Sequence, residues 1–240
     1  MEKKRLDAVL VARGMVTSRS QGESFVRMGK VLVNGKSAKK PGQLVAESDK
    51  LVIAETERYV SRAGHKLASV AKELHLDFAG KTVLDVGSST GGFTDYALQH
   101  GARKVLAVDV GTDQLHPSLH GHPQIELYEK TDIRDFRTKE NIDIVVADVS
   151  FISLREILPA VIKLCNKQTQ LAVMVKPQFE AIHSGAKHHG VIKNDRMRRD
   201  ILKDFEIWAK QYFVVLKKVD SDVAGSKGNR ERFYLLNVVR

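Results

Sequence analysis

The hydrophobic positions follow two different patterns along the chain. In the first part, Leu6 and Leu10 recur at helical spacing, and short apolar runs at 31–33 and 51–53 are typical of strands. Glycines and polar residues separate these segments at short intervals. The pattern predicts a small α+β domain over residues 1–55.

From about residue 81 the pattern changes to apolar strands that alternate with amphipathic helices. This alternation predicts an α/β fold of the Rossmann-like, doubly wound type, and two late strands that follow closely predict an antiparallel edge. A charged connector over 56–62 would join the first domain to a second domain over 63–240. The predicted strands are 82–86, 104–108, 143–147, 171–175, 213–219 and 233–238, and the predicted helices are 64–74, 94–100, 154–164 and 195–210.

Composition and charge narrow the class of protein. Hydrophobic residues make up 42% of the 240 residues, which is enough for a buried core. No apolar run approaches the roughly 18 residues of a membrane helix, and a single cysteine, Cys165, excludes a disulfide scaffold. The net charge is +10, of which +6 lies in residues 1–62, so a polyanionic partner is favoured. We expect a monomeric cytoplasmic protein that does not enter the membrane.

The first domain carries a candidate RNA-binding surface. Arg19 and Arg27 lie eight residues apart, about two helical turns, and therefore share one helix face. A cationic strip of this kind recognises the phosphates and shape of folded RNA, although a solvated basic face is the simpler alternative. The predicted RNA-binding residues are Arg5, Arg19, Arg27, Lys30, Asn34 and Lys36.

Three motifs in this domain carry a family resemblance. They are Arg5-Leu-Asp7, Ser18-Arg19 and the segment RMGKVLVNGK over 27–36. With them, residues 5–53 resemble an S4 RNA-binding domain, which implies binding of structured RNA. Several unrelated activities are attached to such domains, so the remaining residues must decide the function.

A glycine-rich loop follows the first strand of the second domain. The stretch VLDVGSSTGGFTD over 83–95 has no lysine and is not G-x-G-x-x-G, so a P-loop and a dinucleotide site are both disfavoured. Asp109 ends the next strand, where an acidic residue can accept both hydroxyls of a ribose. This pattern resembles the S-adenosylmethionine (SAM) site of Rossmann-like methyltransferases.

The resemblance implies SAM as cofactor and assigns parts of it to residues. Asp85 would lie near the aminoacyl end, Asp109 would hold the ribose, and Asp132 with Ile133 would contact the adenine. The complete set implied by the resemblance is Asp85, Gly87, Ser88, Ser89, Gly91, Gly92, Phe93, Asp109, Asp132 and Ile133.

Four further polar residues occupy positions where α/β sheets place their chemistry. Asp148 and Lys176 end predicted strands, Lys66 lies at the start of the first helix of the second domain, and Glu231 precedes the last strand. The carboxyl ends of strands in an open sheet converge on one crevice. A lysine flanked by a second cation and by carboxylates is a candidate general base.

This order of residues resembles the Lys-Asp-Lys-Glu tetrad of RrmJ-like, or FtsJ-like, ribose 2′-O-methyltransferases. Together with the S4-like domain, nearly the whole chain resembles the TlyA (hemolysin A) family of rRNA methyltransferases. The resemblance implies methylation of a ribose 2′-hydroxyl, of cytidine, in ribosomal RNA or a ribosomal subunit. Lys176 would be the base, Asp148 would orient it, and Lys66 and Glu231 would position the ribose.

Other interpretations remain open at this point. They are a membrane-active hemolysin, a non-catalytic rRNA-binding assembly factor and a small-molecule methyltransferase. The histidine groups at 116–122 and 188–189 have no cysteine or carboxylate at ligand spacing, so no metal site is expected. Phe179 would either stack on a flipped base or pack on the sheet, and the basic residues within 193–199 would either follow RNA or face solvent.

Overall fold

The computed structural model describes residues 3–16, 18–27, 29–53, 58–183, 190–225 and 228–239, without the side chains of Ser24 and Arg27. The chain divides into two compact units, 1–58 and 59–240.

The first unit combines two helices with two small antiparallel sheets. One sheet pairs β1 with β4, and the other has the order β3-β2-β5. Asn34 and Gly35 both have positive φ angles, +51° and +79°, as a two-residue hairpin of type I′ requires. The elements are β1 (Lys3–Arg5), α1 (Leu6–Ala12), α2 (Arg19–Arg27), β2 (Val31–Val33), β3 (Lys36–Ser37), β4 (Leu44–Ala46) and β5 (Leu51–Ile53).

A buried carboxylate links the start of α1 to two arginines. Asp7 is fully buried and accepts hydrogen bonds from Arg5 at 2.7 Å and from Arg19 at 3.0 Å. These guanidinium contacts, with Arg5 the stronger influence, lower the pKa of Asp7 to about 2. Two residues predicted to bind RNA therefore also support the fold.

The second unit is a seven-stranded sheet of order β11-β12-β10-β9-β6-β7-β8. Strands β10, β9, β6, β7 and β8 are parallel, and β12 is antiparallel to both of its neighbours. The elements are α3 (Arg62–Ala71), β6 (Thr82–Val86), α4 (Gly92–Gln99), β7 (Lys104–Val108), β8 (Ile125–Tyr128), β9 (Ile144–Ala147), α5 (Leu154–Val161), β10 (Gln170–Val175), α6 (Pro177–Glu180), α7 (Asp195–Ala209), β11 (Phe213–Asp220) and β12 (Arg232–Val238).

Helices cover both faces of this sheet. Successive residues of a strand point to opposite faces, so Val83 packs with α3 and α4 while Leu84 packs with α5 and α7. The central strands are buried on both sides and therefore read as continuous apolar runs in the sequence.

The structure differs from the sequence prediction in several elements. Strands β1, β3, β4 and β8 and the short helix α6 were not predicted. The helix predicted over 154–164 ends at Val161 and continues as a 3₁₀ turn, Ile162–Leu164. The antiparallel part of the sheet is confirmed, but β12 lies inside the sheet and only β11 forms the edge.

The boundary between the units also differs from the predicted connector. Residues 54–57 lie outside the described part of the chain. Tyr59 is 1% exposed and packs against Tyr96, with their ring centroids 5.3 Å apart. The second unit therefore begins inside the segment 56–62 that was predicted to be a connector.

Over the described ranges, no helix combines the length and apolar character needed to cross a membrane. The same residues contain no group of three or more histidine, cysteine or acidic side chains that could hold a metal ion. His188 and His189 lie outside the described residues. Cys165 is buried, and its thiol donates a hydrogen bond to the Val161 carbonyl at 3.1 Å.

The buried Asp7 carboxylate predicts an acid-sensitive first unit. Its folded pKa is lowered, so its stabilising effect is complete above about pH 4 and is lost as the pH falls towards 2. We expect Asp7→Asn to lower the free energy of unfolding of this unit by about 1–2 kcal/mol at pH 7. Hydrogen exchange of the α1 amides in the full chain measures this effect. Glu47→Gln, at an exposed carboxylate, is the control, and equal protection in both variants would contradict the role of Asp7.

Candidate active site

The carboxyl ends of the parallel strands open onto two adjoining cavities. The first, about 360 Å³, is lined by residues at the ends of β6, β7 and β9. The second, about 420 Å³, is lined by residues of α3, of α6 and of the segments before β12. Ser150 and Phe151 line both cavities, so the loop after β9 forms the boundary between them.

Half of the residues predicted to bind the cofactor line the first cavity. These are Gly87, Ser89, Asp109, Asp132 and Ile133. The cavity lining contains three carboxylates, because Asp148 joins Asp109 and Asp132, and it contains no lysine or arginine among the described residues. Two of these carboxylates pair with bases outside the lining, Asp132 with Arg134 and Asp148 with Lys176, whereas the described residues give Asp109 no basic partner.

Backbone donors fix the orientation of Asp109. Its Oδ2 accepts a hydrogen bond from the Ser89 N–H at 2.8 Å, and its Oδ1 accepts one from the Gly111 N–H at 2.7 Å. Each carboxylate oxygen can accept a further hydrogen bond, so a ligand hydroxyl can still bind there. Asp132 instead pairs with Arg134 at 2.6 Å, which lowers the pKa of Asp132.

Two glycines allow the loop after β6 to approach its neighbours closely. Gly87 has a φ angle of +77°, and a Cβ atom there would lie 3.0 Å from the Asp148 carbonyl oxygen. Gly91 has a φ angle of +85°, and a Cβ atom there would overlap Leu115 and Leu119. A side chain at either position would be strained, and one at Gly87 would also crowd Asp148, which lines the cavity.

The other five predicted cofactor residues lie behind the cavity wall. They are Asp85, Ser88, Gly91, Gly92 and Phe93, none of which lines the first cavity. Phe93 is 2% exposed and packs on Phe233, with their ring centroids 5.9 Å apart. Sequence spacing therefore identified the loop but did not distinguish its lining residues from its supporting residues.

Asp85 is a buried carboxyl group with one oxygen unused. Its Oδ2 accepts a 2.6 Å hydrogen bond from Thr94, whereas its Oδ1 is buried without a hydrogen-bond partner. Burial is the main cause that raises the pKa of Asp85 to about 7, and the nearby Asp148 charge contributes. The free oxygen marks a place where a ligand or a proton would satisfy this group.

The structure brings all four residues of the predicted tetrad to the two cavities as two ion pairs. Lys66 of α3 lies 2.5 Å from Glu231, and Lys176 at the end of β10 lies 2.5 Å from Asp148. The four side chains are between 3% and 15% exposed. Lys66, Lys176 and Glu231 line the second cavity, and Asp148 lines the first, so the tetrad spans the boundary.

Two residues at this boundary were missed by the sequence analysis. Lys176 donates a 2.7 Å hydrogen bond to the Ser150 hydroxyl. Phe151 is 92% exposed, has a φ angle of +66° and lies against Phe179, with ring centroids 5.4 Å apart. Such exposure together with a positive φ angle is uncommon for a phenylalanine. Both residues stand in the DVSF motif beside Asp148, which was the available signal.

Glu180 joins the loop after β9 to the loop after β10. It is 1% exposed and accepts hydrogen bonds from the Ser153 hydroxyl at 2.6 Å and from the Leu154 N–H at 2.8 Å. Burial raises the pKa of this carboxyl group. The contact fixes the two segments that carry Asp148 and Lys176 relative to each other.

The predicted RNA-binding residues differ in their availability. Arg5 and Arg19 remain more than half exposed although they bind Asp7, and Lys36 is exposed. Asn34 bridges Asp49 and the Lys50 backbone and thereby supports the hairpin.

The remaining basic residues add two findings. Lys30 lies 5.9 Å from the ring centroid of Phe25, and the Arg27 side chain lies outside the described residues. Lys39 and Lys40, which were not predicted, line a groove beside Arg5. In the second unit, Arg198 is turned inward to Asp220 at 2.6 Å and is not available to follow RNA.

The fold and this edge of the sheet define a Rossmann-like methyltransferase preceded by an S4 domain. A family model of FtsJ-like methyltransferases matches residues 59–238, and a model of the S4 domain matches residues 4–51. The chain belongs to the FtsJ-like methyltransferase family.

Named relatives and a solved structure match most of this chain. The 16S/23S rRNA (cytidine-2′-O)-methyltransferase TlyA of Mycobacterium tuberculosis is 39% identical over 199 residues, covering 81% of this chain and 74% of the relative. Hemolysin A of Brachyspira hyodysenteriae is 34% identical, covering 95% and 97%. A solved structure from Streptococcus thermophilus, which carries a provisional hemolysin name, is 33% identical with a TM-score of 0.75 and covers 100% of this chain and 90% of that chain.

The raised pKa of Asp85 predicts a pH-dependent stability in the ligand-free protein. Its stabilising effect is complete below about pH 4 and is lost as the pH rises through about 7, because ionisation leaves a buried charge. An amide does not ionise. The free energy of unfolding of Asp85→Asn should therefore rise by about 3 kcal/mol relative to that of the wild type between pH 4 and pH 7.5.

Thermal unfolding of the two proteins across this pH range measures the effect. Asp135→Asn, at an exposed carboxylate, is the matched control and should show no such trend. A constant difference between Asp85→Asn and the wild type would exclude a raised pKa.

Proposed function

We propose that this protein transfers a methyl group from SAM to the 2′-hydroxyl of a cytidine ribose in ribosomal RNA. The observation that carries the proposal is the position of the two lysine–carboxylate pairs, at the boundary between the first cavity and the second cavity. A cytoplasmic, monomeric protein acting on rRNA or on a ribosomal subunit is part of this proposal.

The first cavity suits SAM better than a phosphate-bearing cofactor. SAM carries a positive sulfur and an ammonium group. The lining has no lysine or arginine among the described residues, and Asp109 is a carboxylate without a basic partner there, which favours positive charge. Asp109 would hold the ribose hydroxyls, Ile133 would contact the adenine, and Asp148 would face the sulfur. The unpaired Oδ1 of Asp85 gives this part of the site a further acceptor.

The chain supplies the base and the alignment for the reaction. When bound, SAM supplies a methyl group on a positive sulfur, and this sulfur leaves as part of a neutral thioether when the methyl carbon joins the ribose oxygen. Lys176 Nζ, as the neutral amine, takes the proton of the ribose hydroxyl and becomes an ammonium. Asp148 stabilises that ammonium at 2.5 Å. Holding the reacting groups in line accounts for most of the expected rate enhancement.

The second cavity has the features needed for a nucleotide. Lys66, paired with Glu231, presents a donor to the ribose oxygens. Phe151 and Phe179 form an aromatic pair at the mouth, on which an unstacked base can lie. A small-molecule methyltransferase would have no need of the basic S4 unit.

The choice of rRNA as substrate rests on the first unit and on the relatives. S4-type surfaces bind the phosphates of folded RNA, and residues 1–62 carry a charge of +6. The M. tuberculosis relative is named for cytidine 2′-O-methylation of rRNA. Nucleoside mass spectrometry of rRNA from cells with and without the gene tests the substrate. We expect 2′-O-methylcytidine to be present in rRNA from cells with the gene and to be lost from rRNA of cells that lack it.

Removing the proposed base should abolish transfer and leave the fold intact. Lys176→Ala should lower the rate of methyl transfer to RNA by about 10²–10⁴-fold, because the ribose hydroxyl keeps its proton. SAM affinity, measured by calorimetry, should change little. Lys167→Ala, at an exposed lysine, is the control.

The same experiment separates the alternatives. Wild-type transfer rates in Lys176→Ala would exclude Lys176 as the base. A wild-type protein that binds RNA but not SAM would instead be a non-catalytic assembly factor, and leakage of liposomes by the purified protein would favour the hemolysin.

The first unit should contribute to affinity through phosphate contacts. Lys36→Ala should weaken binding of RNAs of different sequence by the same factor. It should also reduce the magnitude of the slope of log affinity against log salt concentration by about one. Filter binding at several salt concentrations measures both. Lys163→Ala removes an exposed lysine of the second unit and should leave the slope unchanged, whereas equal slopes in all proteins would contradict a contact at Lys36.

A further inference from the structure

Among the described residues, the ammonium of Lys176 has two oxygen partners with different geometry, and it also lies 5.9 Å from the ring centroid of Phe179. Its contact with Asp148 at 2.5 Å is an ion pair, but Asp148 Oδ1 has no aligned hydrogen bond. Its contact with the Ser150 hydroxyl at 2.7 Å is a hydrogen bond. Within the described residues, Ser150 is therefore the directional acceptor for Lys176, and Asp148 supplies mainly charge.

Direction matters because a neutral lysine has a single lone pair. Its amine group rotates freely about the Cε–Nζ bond unless a hydrogen bond fixes it. When one N–H is held by Ser150, the lone pair can be directed towards the second cavity, which Lys176 itself lines. An ion pair alone does not select one rotation, since Coulomb attraction is not directional.

The position of Ser150 suits this role. It is exposed and lines both cavities, so it stands where the methyl donor and the ribose would meet. Three residues further along the same loop, the Ser153 hydroxyl donates a 2.6 Å hydrogen bond to Glu180 and so ties the loop to α6. The hydroxyl is uncharged and therefore orients the amine without adding a second negative charge that would hold the proton more strongly.

We propose that Ser150 is the positioning residue that orients the Lys176 amine for proton abstraction from the ribose. This inference rests on the proposed function, because it presumes that Lys176 is the base. Ser150 itself gains and loses no proton: the ribose proton moves to Lys176 Nζ, and the Ser150 oxygen accepts an N–H hydrogen bond before and after the transfer.

The test compares side chains with and without a hydroxyl in steady-state methylation of the rRNA substrate. Ser150→Ala should lower kcat by about 10–100-fold, with KM for SAM and for RNA within about twofold of the wild type. Ser150→Thr and Ser150→Val have the same shape and differ in the hydroxyl, so Thr should recover most of kcat and Val should not. Ser118→Ala, at another exposed serine, is the control and should match the wild type.

The possible outcomes separate the two proposals. If the wild type transfers methyl groups and Ser150→Ala or Ser150→Val matches it, the role of Ser150 is excluded while the proposed function stands. If Ser150→Ala raises KM with kcat unchanged, Ser150 binds substrate and the positioning role is wrong. A wild type without any transfer would instead remove the proposed function. Since Ser150 is exposed, all variants should unfold at the wild-type temperature, and the Thr–Val pair remains informative if Ala does not fold.

Discussion

The burial of four charges in two ion pairs is the constraint on which the site depends. A charge removed from water is costly unless an opposite charge and hydrogen bonds replace the solvent. Lys66 requires Glu231, and Lys176 requires Asp148, although each pair joins segments that are distant in the chain. A hydrophobic pair of similar size often serves stability at least as well, so stability alone does not account for these pairs.

The two cavities differ in the charged residues that line them. The first is lined by three carboxylates and, among the described residues, no lysine or arginine, whereas Lys66 and Lys176 line the second. Between them, the loop after β9 contributes Asp148, Ser150 and Phe151, a charge, a hydrogen bond and an aromatic surface within four residues. Glu180 links this loop to the segment after β10 through two hydrogen bonds.

The parallel strands and the convergence of the tetrad were predictable from sequence, and the side-chain environment was not. Strands β6, β7, β9 and β10 are continuous apolar runs because both faces are buried, and their carboxyl ends must meet at one edge. Strand β1 was not predicted because its residues are charged and exposed. Strand β8 was not predicted because it is short and only partly buried.

The burial of Asp85 and the exposure of Phe151 depend on how whole elements pack. Local periodicity carries no information on such packing. The same holds for Arg5 and Arg19, whose use by Asp7 requires the tertiary fold of the first unit.

The place of β12 in the sheet has a consequence for how the protein is made. Lys66 emerges from the ribosome before any strand of the large sheet, whereas Glu231 follows all the strands except β12 itself. Until the segment that leads into β12 is in place, Lys66 has no Glu231 carboxylate to pair with, and the second cavity lacks the lining residues Gly225, Asn229 and Glu231. This ion pair therefore forms only after the segment around Glu231 has been synthesised and β12 has docked beside β10.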